Sequence, residues 1–364
     1  MELDAGYTKE ANGLAEQTVC GETILRVEGL KKFFPLKAGI FKRVVGDVKA
    51  VNDVSFFLRE GETLGLVGES GCGKTTTGRC IPRLIEPTAG SIQYNLGGKM
   101  VELTELNREE LKQVRQEIQV IFQDPFSSLN PRMTVGEIIG EPMKVNKVCS
   151  PSERDERVRE LLRRVNLTTD MINRYPHEFS GGQRQRISVA RALALSTKVI
   201  ICDESVSALD VSVQAQILNM LKELQREMGL SYLFIAHDLN VVEHISHRVA
   251  VMYLGRIVEM AESGPLYDKP LHPYTEALLS AIPTGDPLLR KKRIHLAGSV
   301  PDSSNPPPGC NFHPRCSYAT KLCEGEVPQL VKMKDQPGRF VACHRADELR
   351  LLGYMELRDR ASGE

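Results

Sequence analysis

Short runs of almost wholly apolar residues recur along this chain, and segments with the spacing of helices separate them. Such runs lie at 62–67, 117–122, 198–202, 231–236 and 248–252. A short run with apolar residues on both faces predicts a strand that is buried on both sides. Because these strands alternate with helices, the pattern predicts an α/β fold in which helices cover both faces of a parallel sheet.

The positions between these runs predict further elements. Strands are expected at 23–28 and 48–58, with a basic loop at 37–46 between them. Residues 130–180 are rich in helix formers and predict an inserted helical subdomain. Helices are also expected at 181–195 and, with an amphipathic pattern, at Val211–Met228.

Changes in residue content predict three parts of the chain. Residues 1–22 are acidic and polar, which predicts a flexible tail. Residues 23–283 carry the strand and helix pattern and form one large domain. After residue 283 proline, glycine, cysteine and charged residues dominate, which predicts a small C-terminal domain at 284–364.

The charge balance and the apolar runs narrow the classes of protein. The 364 residues include 47 Lys and Arg and 47 Asp and Glu, so the net charge is zero. No basic field therefore favours nucleic acid or anionic lipid. The apolar runs are far shorter than the ~20 residues that a membrane-spanning helix needs. We expect a cytosolic protein whose contact with a membrane goes through a partner.

The segment GESGCGKT fits the phosphate-loop pattern G-x-x-x-x-G-K-S/T, between a predicted strand and a predicted helix. Its glycines permit close approach of phosphate, and successive N–H groups at a helix N-terminus attract anions. Lys74 supplies a positive charge, and the Thr75 hydroxyl suits Mg²⁺. A glycine-rich turn before an ordinary helix is the alternative. The expected phosphate-binding residues are Gly68, Glu69, Ser70, Gly71, Cys72, Gly73, Lys74, Thr75 and Thr76.

Polar side chains follow three of the predicted buried strands. Asp203 and Glu204 end the run VIICDE, where an α/β sheet places ligand contacts. Asp203 is the expected partner of Mg²⁺, and Glu204 the expected general base that activates water. An acidic pair capping the next helix is the alternative. Gln123 and His237 lie at the tips of two other strands, and alone each is a weak indication.

Together these residues resemble those of the nucleotide-binding subunit of ATP-binding-cassette (ABC) transporters, over about residues 24–260. GESGCGKT resembles Walker A, Gln123 the Q-loop, VIICDE Walker B, SALD the D-loop and His237 the switch histidine. SGGQR resembles the signature motif and is the most specific element. The resemblance implies a P-loop ABC ATPase with a mixed sheet core, an antiparallel β subdomain and an inserted helical subdomain.

In that family two subunits pack head to tail, and ATP lies between the phosphate loop of one and the signature motif of the other. The resemblance therefore implies that one group of residues reaches the partner's nucleotide: Ser180, Gly181, Gly182 and Gln183, with Asp210 in the D-loop. It also implies catalytic roles, carried by Glu204, His237 and Gln123, and a set of Mg²⁺ ligands, formed by Thr75, Gln123 and Asp203.

Two details of the resemblance stay open. Phe34 is the best match to the aromatic residue that stacks on adenine, with Phe33 second, and either could instead be a core aromatic. Ser205 stands where the family usually has proline, which removes no reacting group.

Further stretches are similar to the oligopeptide/dipeptide importer subfamily, at 122–142, 207–218, 272–283 and 309–316. The similarity implies an ATPase that uses ATP and Mg²⁺ to power the import of dipeptides or oligopeptides. Its implied partners are a second, paralogous ATPase, two membrane permeases and, indirectly, an extracytoplasmic binding protein. The chain would then lie at the cytoplasmic face of the inner membrane, without nucleic acid as a partner.

Other functions remain open at this point. A soluble ABC ATPase that acts on nucleic acid or ribosomes is one alternative, although the zero net charge disfavours it. An importer of another solute, such as a nickel chelate, is a second. A regulatory iron–sulfur protein with a vestigial ATPase is a third, and the presence of Glu204 and His237 argues against it.

Four cysteines near the C-terminal end follow the spacing C-x5-C-x6-C-x19-C: Cys310, Cys316, Cys323 and Cys343. In a cytosolic chain such a group favours a metal over disulfides. Tetrathiolate sites suit zinc or an iron–sulfur cluster, and the close cysteine pairs of structural zinc sites are absent. The subfamily resemblance implies a 4Fe-4S cluster, with zinc or no metal as the alternatives.

Overall fold

The computed structural model describes residues 21–39, 43–283 and 293–359, so the predicted tail at 1–22 and the predicted boundary near 284 lie almost wholly outside the described residues. The strands are β1 Thr23–Ala38, β2 Arg43–Arg59, β3 Thr63–Val67, β4 Ala89–Leu96, β5 Lys99–Glu102, β6 Ile118–Ile121, β7 Val199–Asp203, β8 Ser231–Ala236, β9 Arg248–Tyr253, β10 Arg256–Glu262, β11 Val331–Lys332 and β12 Phe340–Val341. The helices are α1 Lys74–Cys80, α2 Arg108–Glu117, α3 Pro125–Ser128, α4 Val135–Asn146, α5 Pro151–Arg164, α6 Gly181–Ala192, α7 Val211–Met228, α8 Leu239–Ile245, α9 Ser263–Asp268, α10 Pro273–Ser280, α11 Lys321–Gly325 and α12 Tyr354–Asp359.

A mixed sheet forms the centre of the molecule, in the order β11-β12-β10-β9-β3-β8-β7-β6. The strands from β9 to β6 run parallel, and β10, β12 and β11 extend the sheet in antiparallel fashion. Strands β3, β7, β8 and β9 are buried along their whole length. The predicted α/β fold is therefore confirmed, with an antiparallel extension on one side of the parallel strands.

A second, antiparallel sheet has the order β2-β1-β4-β5. The predicted loop at 37–46 is wrong, because β1 continues to Ala38 and β2 begins at Arg43. Cross-strand pairs such as Leu36 with Gly46 and Lys37 with Val44 extend the hairpin. Main-chain hydrogen bonds between β1 and β2 thus stabilise a strand here although the side chains are basic. Basic side chains such as that of Lys37 stay exposed to solvent.

Helices α4 to α6 pack on the end of the sheet that carries β6 and β7. All three begin with the same reciprocal cap. A Ser or Thr hydroxyl accepts a hydrogen bond from the backbone N–H three residues later, and the side chain of that later residue accepts one from the backbone of the cap. The capping residues are Thr134, Ser150 and Ser180. The helix predicted at 181–195 ends earlier, at Ala192. Helix α7 has its predicted bounds and ends where Gly229 adopts a left-handed conformation.

The C-terminal segment packs on the sheet edge that β10 would otherwise expose. Strand β12 pairs with β10, and Arg339 makes a buried ion pair with Glu259 on that strand at 2.8 Å. The Glu276 carboxylate in α10 accepts a hydrogen bond from the backbone N–H of Leu352 at 2.8 Å. A separate domain at 284–364 stays a prediction, since the described part of this segment is continuous with the central sheet.

Candidate active site

The loop between β3 and α1 is shaped by two glycines that no larger residue can replace. Gly73 has a left-handed φ of 108°, and an added Cβ would lie 2.1 Å from the carbonyl oxygen of Ala50. A Cβ on Gly68 would lie 2.1 Å from the carbonyl oxygen of Met252. The backbone of the loop is thereby held against two neighbouring strands.

The Lys74 ammonium lies inside this loop. Its Nζ donates to the carbonyl oxygens of Gly68 at 2.8 Å and Glu69 at 3.1 Å. The side chain is buried, so the loop carries a fixed positive charge at the start of α1. The remaining predicted residues lie on the same turn, from Ser70 and Gly71, which are exposed, to Cys72, Thr75 and Thr76.

The hydroxyl of Thr75 meets the carboxylate of Asp203 at the end of β7. Thr75 Oγ1 donates to Asp203 Oδ1 at 2.7 Å. Asp203 is buried, and its other oxygen lies 3.3 Å from Nη2 of Arg79, a residue that sequence reasoning missed. Thr75 and Asp203 therefore present hydroxyl and carboxylate oxygens side by side, which is the ligand chemistry that Mg²⁺ prefers.

Glu204 gathers the other two predicted catalytic side chains. Its Oε2 accepts from Gln123 Nε2 at 2.8 Å and lies 3.6 Å from Nδ1 of His237. These three residues follow β7, β6 and β8, which are neighbours in the sheet. Glu204 has a left-handed φ of 48°, which is strained for a residue with a side chain. Parallel strands that end together thus bring three predicted residues to one point.

The predicted signature residues form the first turn of α6. Ser180 Oγ accepts from the N–H of Gln183, and the Gln183 side chain accepts from the N–H of Ser180. Gly182 packs against α7, where an added Cβ would lie 2.4 Å from Val213. Within the part of the chain that the structure describes, no hydrogen bond joins this turn to the phosphate loop. Asp210, the residue before α7, is exposed.

Phe34 and Phe33 lie side by side on β1 and differ in exposure. Phe34 is 37% exposed, and Lys32 Nζ lies 4.9 Å from its ring centroid. Phe33 is half-buried, and its backbone N–H donates to Thr88 Oγ1 at 3.0 Å. The more accessible aromatic ring therefore belongs to Phe34.

Comparison with known proteins agrees with this geometry. The family described as ABC transporter matches residues 51–207, and the family described as oligopeptide/dipeptide transporter, C-terminal region, matches residues 258–323. Oligopeptide transport ATP-binding protein AppF of Bacillus subtilis is 53% identical over 326 residues, which cover 89% of this chain and 97% of the relative. The chain belongs to the ATP-binding proteins of ABC transporters.

Other relatives of this ABC ATPase agree. The probable peptide ABC transporter ATP-binding protein y4tS of Sinorhizobium fredii is 54% identical over 323 residues, covering 89% of this chain and 90% of that protein. The cassette MJ0796, solved as a dimer with ADP and phosphate, matches with a TM-score of 0.57 at 28% identity, over 66% of this chain and 99% of that one. As an ABC ATPase, the chain hydrolyses ATP, with Mg²⁺ as the expected cation. In the described residues, no helix is long and apolar enough to cross a bilayer.

The four late cysteines of the ABC ATPase line one small cavity, of about 20 Å³. Burial raises the pKa of the Cys310, Cys316 and Cys343 thiols to about 11 each. Four thiols are the donor set that an iron–sulfur cluster requires, so the residue types fit. Among the described residues, however, no group of three or more His, Cys, Asp or Glu side chains is arranged to hold a metal ion. The predicted metal site is therefore not shown.

Sequence reasoning missed two residues that touch the phosphate loop. The Tyr274 hydroxyl accepts from the N–H of Glu69 at 2.9 Å, and Arg315 Nη1 pairs with Glu69 Oε2 at 2.6 Å. They lie 205 and 246 residues from Glu69 in the chain. No local pattern connects residues so far apart, so only the folded structure could identify these contacts.

Proposed function

We propose that this ABC ATPase powers the import of dipeptides or oligopeptides. The observation that supports hydrolysis most directly is the junction of Glu204 with Gln123 and His237, next to Thr75 and Asp203. The match of the C-terminal region to the oligopeptide/dipeptide transporter family supports peptides as the cargo. The names of AppF and y4tS, which refer to oligopeptide and peptide transport, support the same choice.

The proposed chemistry assigns one role to each side chain. Lys74 and the N–H groups from Gly68 to Thr76 bind the phosphates, and Phe34 stacks on adenine. Thr75, Gln123 and Asp203 would hold Mg²⁺, which supplies charge neutralisation on the phosphate oxygens. Glu204 accepts the proton of the attacking water, and His237 donates to the γ-phosphate.

A second subunit completes the proposed site. Gly181 and Gly182 open α6 with free N–H groups and the positive end of the helix dipole, which suits the γ-phosphate of a partner's ATP. Ser180 and Gln183 hold that turn in shape, and Asp210 would lie at the same junction. We propose a head-to-tail dimer with a paralogous ATPase, bound to two permeases at the cytoplasmic face of the inner membrane and served by an extracytoplasmic binding protein.

Co-purification and uptake test this function. The tagged chain should recover a second ATPase and two permeases from detergent-solubilised membranes. The complex should then be reconstituted in lipid vesicles. It should transport labelled dipeptides or oligopeptides only when ATP is on the side of the membrane that carries the ATPases and the binding protein is on the opposite side. Recovery of ribosomes or nucleic acid instead, or uptake of a nickel chelate but no peptide, would overturn the assignment of cargo.

We also propose that residues 284–364 form a small domain in which Cys310, Cys316, Cys323 and Cys343 bind a 4Fe-4S cluster. The supporting observation is that all four thiols line one cavity, which brings four soft sulfur donors together. Iron, sulfide and zinc should be measured on protein purified without oxygen. About four irons and four sulfides per chain, lost in Cys316→Ser, are expected. Stoichiometric zinc, or no metal, would contradict the cluster.

A further inference from the structure

One contact connects the cysteine pocket directly with the phosphate loop. Arg315 and Glu69 make a two-pronged ion pair, with Nη1 to Oε2 at 2.6 Å and Nη2 to Oε1 at 3.1 Å. The Arg315 side chain is only 7% exposed. The guanidinium donates both hydrogen bonds, and the Glu69 carboxylate accepts them. A bidentate pair of this kind fixes direction as well as distance.

Arg315 is placed by the cysteine loop. It ends a short 3-10 turn, His313–Arg315, immediately before Cys316. Phe312 anchors this turn, because its ring is buried with a centroid 5.2 Å from that of Tyr253. The backbone N–H of Cys316 donates to the carbonyl of His313 at 3.2 Å. The guanidinium therefore reaches Glu69 from a turn that is anchored to the core of the protein.

Glu69 carries a negative charge into a loop built to attract anions. Its backbone carbonyl accepts from Lys74 Nζ, and it directly follows Gly68. Without a counter-charge, its carboxylate would repel the phosphates of ATP. Arg315 supplies that counter-charge, and Tyr274 fixes the Glu69 backbone from the same side.

We propose that Arg315 is a positioning residue for the phosphate loop: by neutralising and orienting Glu69, it makes ATP affinity depend on the placement of the cysteine loop. The inference rests on the proposed role of the loop from Gly68 to Thr76 in binding phosphate. Lys74→Ala tests that role separately, because it should abolish nucleotide binding whether or not Arg315 acts through Glu69.

The test measures binding of the non-hydrolysable analogue AMP-PNP to the purified full-length chain by calorimetry. Arg315→Met should weaken binding about tenfold, and by less at high salt, since an unpaired carboxylate then lies in the loop proposed to bind the phosphates. Adding Glu69→Gln to Arg315→Met should restore affinity to within about threefold of the original protein. The affinity of Arg315→Lys should lie between those of Arg315→Met and the original protein, because lysine keeps the positive charge but cannot form the two-pronged pair.

A matched control uses an arginine that lines the pocket itself. Arg345 lies two residues after Cys343, pairs with Glu348 at 2.9 Å and donates to the carbonyl oxygen of Tyr318. Arg345→Met should leave AMP-PNP affinity within about twofold of the original. Equal losses in Arg315→Met and Arg345→Met, or no restoration by Glu69→Gln, would overturn the proposal and assign Arg315 a purely structural role.

The cysteine loop itself supplies the last arm of the test. Cys316→Ser should weaken AMP-PNP binding in the original background but not when Glu69→Gln is present, because the charge that needs orienting is then gone. Equal losses in both backgrounds would show that the pocket does not act through this contact. The Arg315 variants, which leave every cysteine in place, decide the proposal even if Cys316→Ser fails to fold.

Discussion

The phosphate site and the cysteine pocket both collect residues from distant parts of the chain, but different forces bring them together. In the phosphate site, Gln123, Glu204 and His237 follow adjacent strands, so main-chain pairing aligns them before any side chain makes a contact. Around the pocket, the described elements are short, and side chains such as Arg315 and Arg339 add to the two-residue pairing of β12 with β10. The first site inherits its geometry from the sheet, and the second depends largely on individual side-chain contacts.

This difference predicts how each region responds to substitution. A site that the sheet aligns should lose chemistry, without losing structure, when one reacting group changes. A segment attached largely through side chains should lose stability when one attachment is cut. The following experiments separate the two kinds of response.

The largest effect is expected for the proposed general base. Glu204→Gln keeps the shape of the side chain but cannot accept a proton, so kcat for ATP should fall by about 10² to 10⁴. Nucleotide affinity and thermal stability should change little, since β6, β7 and β8 still align the site. Glu156→Gln, an exposed glutamate on α5, is the control. Normal turnover in Glu204→Gln would show that another group takes the proton.

A smaller loss is expected where the signature turn packs on α7. In Gly182→Ala the new methyl collides with Val213, which displaces the start of α6 and should lower kcat by about 10- to 100-fold. Val213→Ala makes room and should restore most of that activity. Failure to restore it would mean that the methyl obstructs the nucleotide side of the turn instead.

Cutting the C-terminal attachment should affect stability and not nucleotide binding. Arg339→Met leaves the Glu259 carboxylate buried without its partner, which should lower the free energy of unfolding by about 3–5 kcal/mol. AMP-PNP affinity should stay unchanged, in contrast to Arg315→Met. Denaturant unfolding and calorimetry on the same preparation measure both quantities, and a joint loss would show that the two attachments are not independent.

The smallest effect is expected on stability, when the same cap is removed from two helices. Ser150→Ala and Ser180→Ala each remove the hydroxyl of a reciprocal cap, and each should lower stability by about 1 kcal/mol. Only Ser180→Ala should also lower ATPase turnover, because α6 carries the turn proposed to face the partner's nucleotide. Equal turnover in the two variants would remove Ser180 from the site.

The nucleotide site was predictable because its residues are marked by local pattern. Lys74 and Thr75 belong to a loop with a fixed spacing, and Asp203 ends a run of apolar residues that can only be a buried strand. The hairpin at 37–46 was misjudged because the pairing of β1 with β2 stabilises charged residues in a strand. The contacts of Arg315 and Arg339 could not be predicted from the sequence, because each joins residues that are far apart in the chain and share no local motif.

Strand β12 also matters while the chain is being synthesised. Arg339, the residue before β12, lies 80 residues after Glu259 on β10, the strand with which β12 pairs. At synthesis rates of about 5 to 20 residues per second, the edge of β10 stays uncovered for roughly 4 to 16 s after it emerges. An uncovered strand edge is a template for pairing with other chains. The short strand that closes the sheet thus also ends an interval of exposure to aggregation, and a chaperone would be needed most within that interval.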